Sequence, residues 1–144
     1  MDDLKTVIRR AGEAREAGCE DEARALYLDA WERAQWGGDA YHACVAAHML
    51  GVSEPMPFDE KLRWHLVSLE WADLVTDGRS APFYASIFSN LGYVYAHTDR
   101  RAEAHGCYLL AREHTAALPD DEYGRSLREQ IAWALGQLGE RDRC

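Results

Sequence analysis

Cys44 and His48 are the two residues whose types and spacing most directly suggest chemistry. Four positions apart on a helix, they share one face. A thiolate and an imidazole at that spacing suit a soft metal such as zinc or copper. A third ligand, such as His97, would have to come from another helix. The same pair could act as a cysteine nucleophile and its base, but that also needs oxyanion donors, and the sequence places none. The many carboxylates stand mostly beside arginines on what read as solvent faces. Spacing alone sets no two of them across one cleft for acid–base work. G-x-S-x-G, the P-loop, G-x-G-x-x-G and H-E-x-x-H are all absent. His42, His65, His105 and His114 are less informative, and His65, following Trp64, reads as a packing residue. No catalytic set, cofactor motif or metal-ligand set is complete. The expectation is therefore no cofactor and no resident metal, with an enzyme disfavoured.

The chain that must position these residues has 144 residues and a mass of 16.3 kDa, with 47% hydrophobic and 28% charged residues. That is the composition of one globular domain. No uninterrupted apolar run approaches the roughly 20 residues of a membrane-spanning helix, so no membrane is expected. Sixteen Lys and Arg against 25 Asp and Glu give a net charge of −9. The cations form only short clusters, Arg9-Arg10, Arg100-Arg101 and the C-terminal Arg141 and Arg143. No nucleic-acid partner is expected, because a polyanion needs a gathered cationic stripe. Cys19, Cys44, Cys107 and Cys144 form no CxxC, and Asn90-Leu91-Gly92 is not a glycosylation sequon. The acidic start Met1-Asp2-Asp3-Leu4-Lys5 is unlike a leader peptide. Together these predict a reduced, cytoplasmic, soluble protein. Fourteen arginines against two lysines, with 22 alanines, are associated with GC-rich bacterial genomes.

Ala, Leu, Glu and Arg dominate, all good helix formers, and no run of Val, Ile and Thr makes a strand. The breaks fall at Gly18, Gly37-Gly38-Asp39, Ser53 to Pro57, Asp77-Gly78, Thr98-Asp99 and Pro119 to Asp121. Glycine ends a helix, proline cannot continue one, and Asp39, Thr98-Asp99 and Asp120-Asp121 offer N-caps. The spacing predicts seven helices, over residues 2–17, 20–35, 40–51, 58–76, 81–97, 100–117 and 121–139. Pro82 falls in a first turn, where it is tolerated. The five tryptophans, Trp31, Trp36, Trp64, Trp71 and Trp133, read mainly as packing residues, with an exposed subset available for a dimer patch.

Seven helices joined by short links invite a search for repeats. With Ala85 as position 1, Phe88, Leu91, Gly92 and Tyr95 fall at positions 4, 7, 8 and 11, and Ala104, Tyr108 and Ala111 at 20, 24 and 27. This unit resembles the tetratricopeptide repeat, a helix–turn–helix of about 34 residues. Phe88 stands for the family's Trp and Tyr108 for its Phe. A unit starting at Leu4 places Ala11, Ala14, Gly18, Ala23, Tyr27 and Ala30 in the same register, with Arg10 at a normally apolar position. The middle unit is divergent. It puts Lys61 where Ala23 and Ala104 stand, 38 and 43 residues away, with the extra residues in the Pro55–Pro57 and Asp77–Ser80 loops. The last helix has no partner and reads as a cap, with Leu127, Ile131, Ala134, Leu135 and Leu138 as its apolar stripe.

The resemblance implies a single all-α domain over residues 1–144. It would be a right-handed superhelix of about three helical pairs (2–35, 40–76 and 81–117) with a C-terminal cap at 121–139. In this family the first helix of each pair lines a concave face through positions 2, 5, 9, 12 and 13. The residues so placed include Lys5, Arg15, Tyr41, Cys44, His48, Ser89, Tyr93 and His97. The implied function is a scaffold or adaptor that holds a segment of a partner protein in this groove. The family's carboxylate clamp of Lys, Asn and Arg is not reproduced, since Asn90 falls at position 6. The alternative is a small-molecule or metal site, catalytic or not, built from the same Cys, His and Tyr cluster. A homodimer through tryptophan patches is a third reading.

Overall fold

A computed structural model describes residues 2–142; Met1, Arg143 and Cys144 lie outside the described residues. The described residues are helical and contain no strand, as expected. The helices are α1 (Leu4–Glu16), α2 (Glu20–Gly37), α3 (Ala40–Gly51), α4 (Phe58–Asp73), α5 (Tyr84–Ala96), α6 (Arg101–Glu113) and α7 (Glu122–Asp142). Short 3-10 turns occupy Ala81–Phe83 and Thr115–Ala117. None of the described helices is long and apolar enough to cross a membrane. The chain divides into two compact units, Met1–Gly78 with α1 to α4 and Arg79–Cys144 with α5 to α7.

Local chemistry explains most boundaries. The Asp3 carboxylate accepts from the Thr6 N–H at 2.8 Å and opens α1. Asp39 opens α3 in the same way, accepting from His42 N–H at 3.1 Å, and Asp121 opens α7, accepting from Gly124 N–H at 2.8 Å. Gly38, at φ 69°, closes α2 in the left-handed conformation that glycine adopts without strain. Thr98 and Asp99 act differently from expectation. The Thr98 hydroxyl donates back to the Val94 carbonyl at 2.9 Å, finishing α5. Asp99 lies at φ 59°, and α6 starts after Arg100 with no side-chain cap. Helix α4 ends three residues before its predicted limit, because Leu74 and Val75 bond back three residues to Trp71 and Ala72 and tighten the last turn. The segment 115–117 leaves the α6 helix as a 3-10 turn. There the Arg128 guanidinium takes the Thr115 and Leu118 carbonyls at 3.0 and 3.3 Å. Pro82 sits in the other 3-10 turn, before α5.

Packing in each pair sets a ring on the second helix against a small residue on the first. In the first unit Ala11, Ala23, Tyr27 and Leu50 form one buried cluster, and Val7, Ala30 and Ala46 another. The Trp31 and Trp64 rings meet edge to face, with centroids 5.1 Å apart. Helices α3 and α4 approach so closely that a Cβ at Gly51 would stand 2.5 Å from the His65 ring. In the second unit a Cβ at Gly92 would stand 2.7 Å from the Tyr108 ring. Helix α7 closes that unit by burying Leu127, Ile131, Ala134 and Leu138 against Ala85, Ala104, Tyr108 and Ala111. Trp36 and Trp133 remain 90% and 69% exposed, whereas Trp31, Trp64 and Trp71 are half-buried.

Candidate functional site

The residues expected on a concave face are divided between the two units. In the first unit most of them hold the protein together. The Arg15 guanidinium grips the Glu20 carboxylate through Nε and one terminal nitrogen, both at 2.8 Å. It also donates to the Met49 carbonyl at 2.9 Å and the Ser53 hydroxyl at 2.8 Å, and lies 4.9 Å above the Tyr27 ring. Lys61, itself buried, donates from Nζ to the Ser53 carbonyl at 2.8 Å and pairs with Glu54 at 2.6 Å. Arg24 donates to the Pro55 carbonyl at 3.2 Å. Three cations from α1, α2 and α4 thus tie down the loop that follows α3. The Glu54–Pro55 peptide bond in that loop is cis.

Cys44 is fully buried, with Sγ 3.6 Å from the Ser68 hydroxyl, which donates to the Cys44 carbonyl at 3.0 Å. Burial pushes its thiol up, away from the thiolate that nucleophilic or metal chemistry needs. His48 is buried too, its ring 5.9 Å from that of His65. Burial, reinforced by the Arg15 charge, holds His48 down to about 4. Burial, then His48 and Lys61, holds His65 down to about 3. Both rings are therefore neutral at pH 7. Among the described residues no three His, Cys, Asp or Glu side chains converge as a metal-ligand set. Lys5 is exposed, and Tyr41 is half-buried with its ring edge-on to His42 at 5.2 Å.

In the second unit, Ser89, Tyr93 and His97 come together on an open groove. Helix α5 supplies one wall and α7 the other, with Tyr108 of α6 between them. The groove consists of two adjoining cavities of about 430 and 690 Å³ that share Tyr93, Tyr108, Trp133 and Ala134. The smaller is completed by Ser89, Asn90, Ser126, Glu129 and Gln130. The larger is completed by Ala96, His97, Asp99, Arg101, Gln137 and Leu138. Tyr93 and His97, one turn apart, meet at a tilt of 38° with ring centroids 4.1 Å apart, and His97 Nδ1 lies 2.8 Å from the Tyr93 carbonyl. The Arg101 guanidinium donates to the Leu138 carbonyl, tying α6 to α7. Burial pushes the Tyr108 phenol up to about 12, so it stays protonated under all ordinary conditions. Tyr93 and Trp133 are 47% and 69% exposed, in a unit that buries Ile87, Leu91, Val94 and Ile131 almost completely.

Trp133, Glu129 and Gln130 were not among the expected site residues, because α7 reads as a solvating cap. The signal was present in its periodicity: Trp133 falls off the Leu127, Ile131, Ala134, Leu138 stripe, and so cannot share that buried face. The groove can offer ring faces, hydroxyls, amides and a carboxylate, which suits binding. No protein-family model matches the chain, and no curated protein and no solved structure matches it.

Proposed function

We propose that the protein is a non-catalytic interaction module built from tetratricopeptide-like helical pairs, and that its second unit holds a short segment of a partner protein between α5 and α7. The observation that carries this reading is that two of the unit's exposed rings, Tyr93 and Trp133, line the same groove, whereas its exposed Tyr123 and Leu110 do not. Large rings with only two side-chain torsions give contact area at small entropic cost. Asn90, Gln130 and Gln137 beside them can donate to and accept from a peptide backbone. The repeat reading is supported by the recurring ring on a small residue. Tyr27 and Tyr108 follow Ala11 and Gly92 by 16 residues, and His65 follows Gly51 by 14. The groove is lined at register positions 5, 9 and 13 of the third pair, by Ser89, Tyr93 and His97.

The test is selection from a random dodecapeptide display library, followed by fluorescence anisotropy on the enriched peptides. The Tyr93→Ala/Trp133→Ala double variant is expected to bind them at least tenfold more weakly, about 1.4 kcal/mol. Enriched peptides that bind the folded double variant unchanged, or no enrichment at all, would remove this function. The cavity volumes favour a second reading, a small organic ligand in the same groove, because sites for such ligands commonly enclose about 300–1,000 Å³. A thermal-shift panel of metabolites separates the two. Under the second reading a small molecule alone raises the melting midpoint by several degrees, and the Trp133→Ala variant loses that rise.

A further inference from the structure

We infer that the smaller cavity is a cation subsite, taking the guanidinium or ammonium group of an arginine or lysine in the bound segment. The inference rests on the groove reading above and names the chemistry of its partner. Of the residues lining this cavity Glu129 alone is charged, and it is exposed. Among the described residues no cation pairs with it. The carboxylate shares the cavity with the rings of Tyr93 and Trp133, whose faces carry the negative part of the aromatic quadrupole and attract cations. The net charge of −9 adds a long-range attraction of the same sign.

The competing occupants fit less well. An acidic side chain would meet Glu129 with no lining cation to offset it. An apolar side chain would strip water from the carboxylate and return no hydrogen bond, a costly arrangement. A guanidinium satisfies the carboxylate in a two-pronged contact and stacks its plane on a ring, so arginine should be preferred to lysine. The larger cavity is different in kind. It carries Asp99 and Arg101 together, so it has no single charge preference, and the rest of the segment lies there.

The experiment uses the full chain and the enriched dodecapeptides. An arginine or lysine should recur at one position of those peptides. Replacing the arginine by citrulline, which keeps the shape and removes the charge, should weaken binding at least tenfold. In Glu129→Gln the preference for the arginine over the citrulline peptide should fall at least fivefold, the remainder being the attraction of the rings, with the circular dichroism spectrum unchanged. Enriched peptides that lack a recurring cation, yet lose affinity in Tyr93→Ala/Trp133→Ala, would overturn the cation subsite and leave the groove standing. An arginine preference that survives Glu129→Gln undiminished would overturn it as well. N-acetyl-argininamide binding as tightly as the peptides would overturn the assignment to a partner segment in favour of a free organic cation. No enrichment would remove the groove and the subsite together.

Discussion

Arg15 bonds at once to Glu20, the Met49 carbonyl and the Ser53 hydroxyl, and its loss should be felt as stability. Truncation to Met keeps the apolar stem over Tyr27 but leaves Glu20, the Met49 carbonyl and the Ser53 hydroxyl without their donor. Charge-assisted hydrogen bonds of this kind contribute about 1.5–3 kcal/mol, so Arg15→Met should destabilise by about 2–3 kcal/mol in urea unfolding. A loss below about 0.5 kcal/mol would show that the clamp is idle. His48 and His65 make a second prediction. Their folded pKa values, about 4 and about 3, lie below the unfolded value of 6.5. Below pH 6.5 the unfolded chain therefore binds protons that the folded chain does not, and stability falls as the pH drops toward 4. Each histidine contributes at most about 1.4 kcal/mol per pH unit. The carboxylates of Asp3 and Glu20, held below their usual range by Thr6 and Arg15 respectively, act below about pH 4.5. The window from 6.5 to 5 thus isolates the histidines. Urea unfolding of His65→Phe should show roughly half the wild-type slope there, and an unchanged slope would contradict the assignment.

At the scale of helices, the pairs are held by contact between small residues and rings. Gly51→Ala and Gly92→Ala would each drive a methyl group into a ring and should destabilise by about 1–3 kcal/mol, measured by thermal unfolding. Gly106, on the exposed face of α6, has nothing within 4 Å of its Cβ position. Gly106→Ala should therefore stabilise, by up to about 1 kcal/mol, through helix propensity. If all three substitutions moved stability in one direction, close helix approach would not be the cause. The helices themselves were legible because their apolar residues recur at helical spacing between glycine, proline and aspartate stops. The exceptions follow from bonds that spacing does not reveal. Thr98 returns its hydroxyl to α5, and Arg128, far along the chain, captures the carbonyls at 115 and 118. The site was legible only in part, for a similar reason. Four-residue spacing puts Cys44 and His48 on one face, but not which neighbour covers it. Helix α4 does so, through Ser68 and His65. Ser89, Tyr93 and His97 were found through the repeat register, whereas periodicity takes Trp133 off the buried stripe of α7 but does not place it, or Glu129, opposite α5.

For the whole molecule, a charge of −9 sets up a long-range field that repels anions and attracts cations. Tyr93 and Trp133 are exposed and lie outside the buried cluster of their unit. Tyr93→Ala/Trp133→Ala should leave urea stability within about 0.5 kcal/mol of wild type, as surface substitutions usually do. A larger loss would make the rings structural. The most direct test of the binding account is nuclear magnetic resonance mapping of an enriched dodecapeptide on the isotope-labelled chain. The account predicts that the Trp133 indole N–H, the Tyr93 backbone and the Asn90 and Gln130 side-chain amides shift together on titration, with α1 to α4 unmoved. Shifts centred instead on Trp31 and Trp36 of α2, or no saturable shift in the α5–α7 groove, would contradict it.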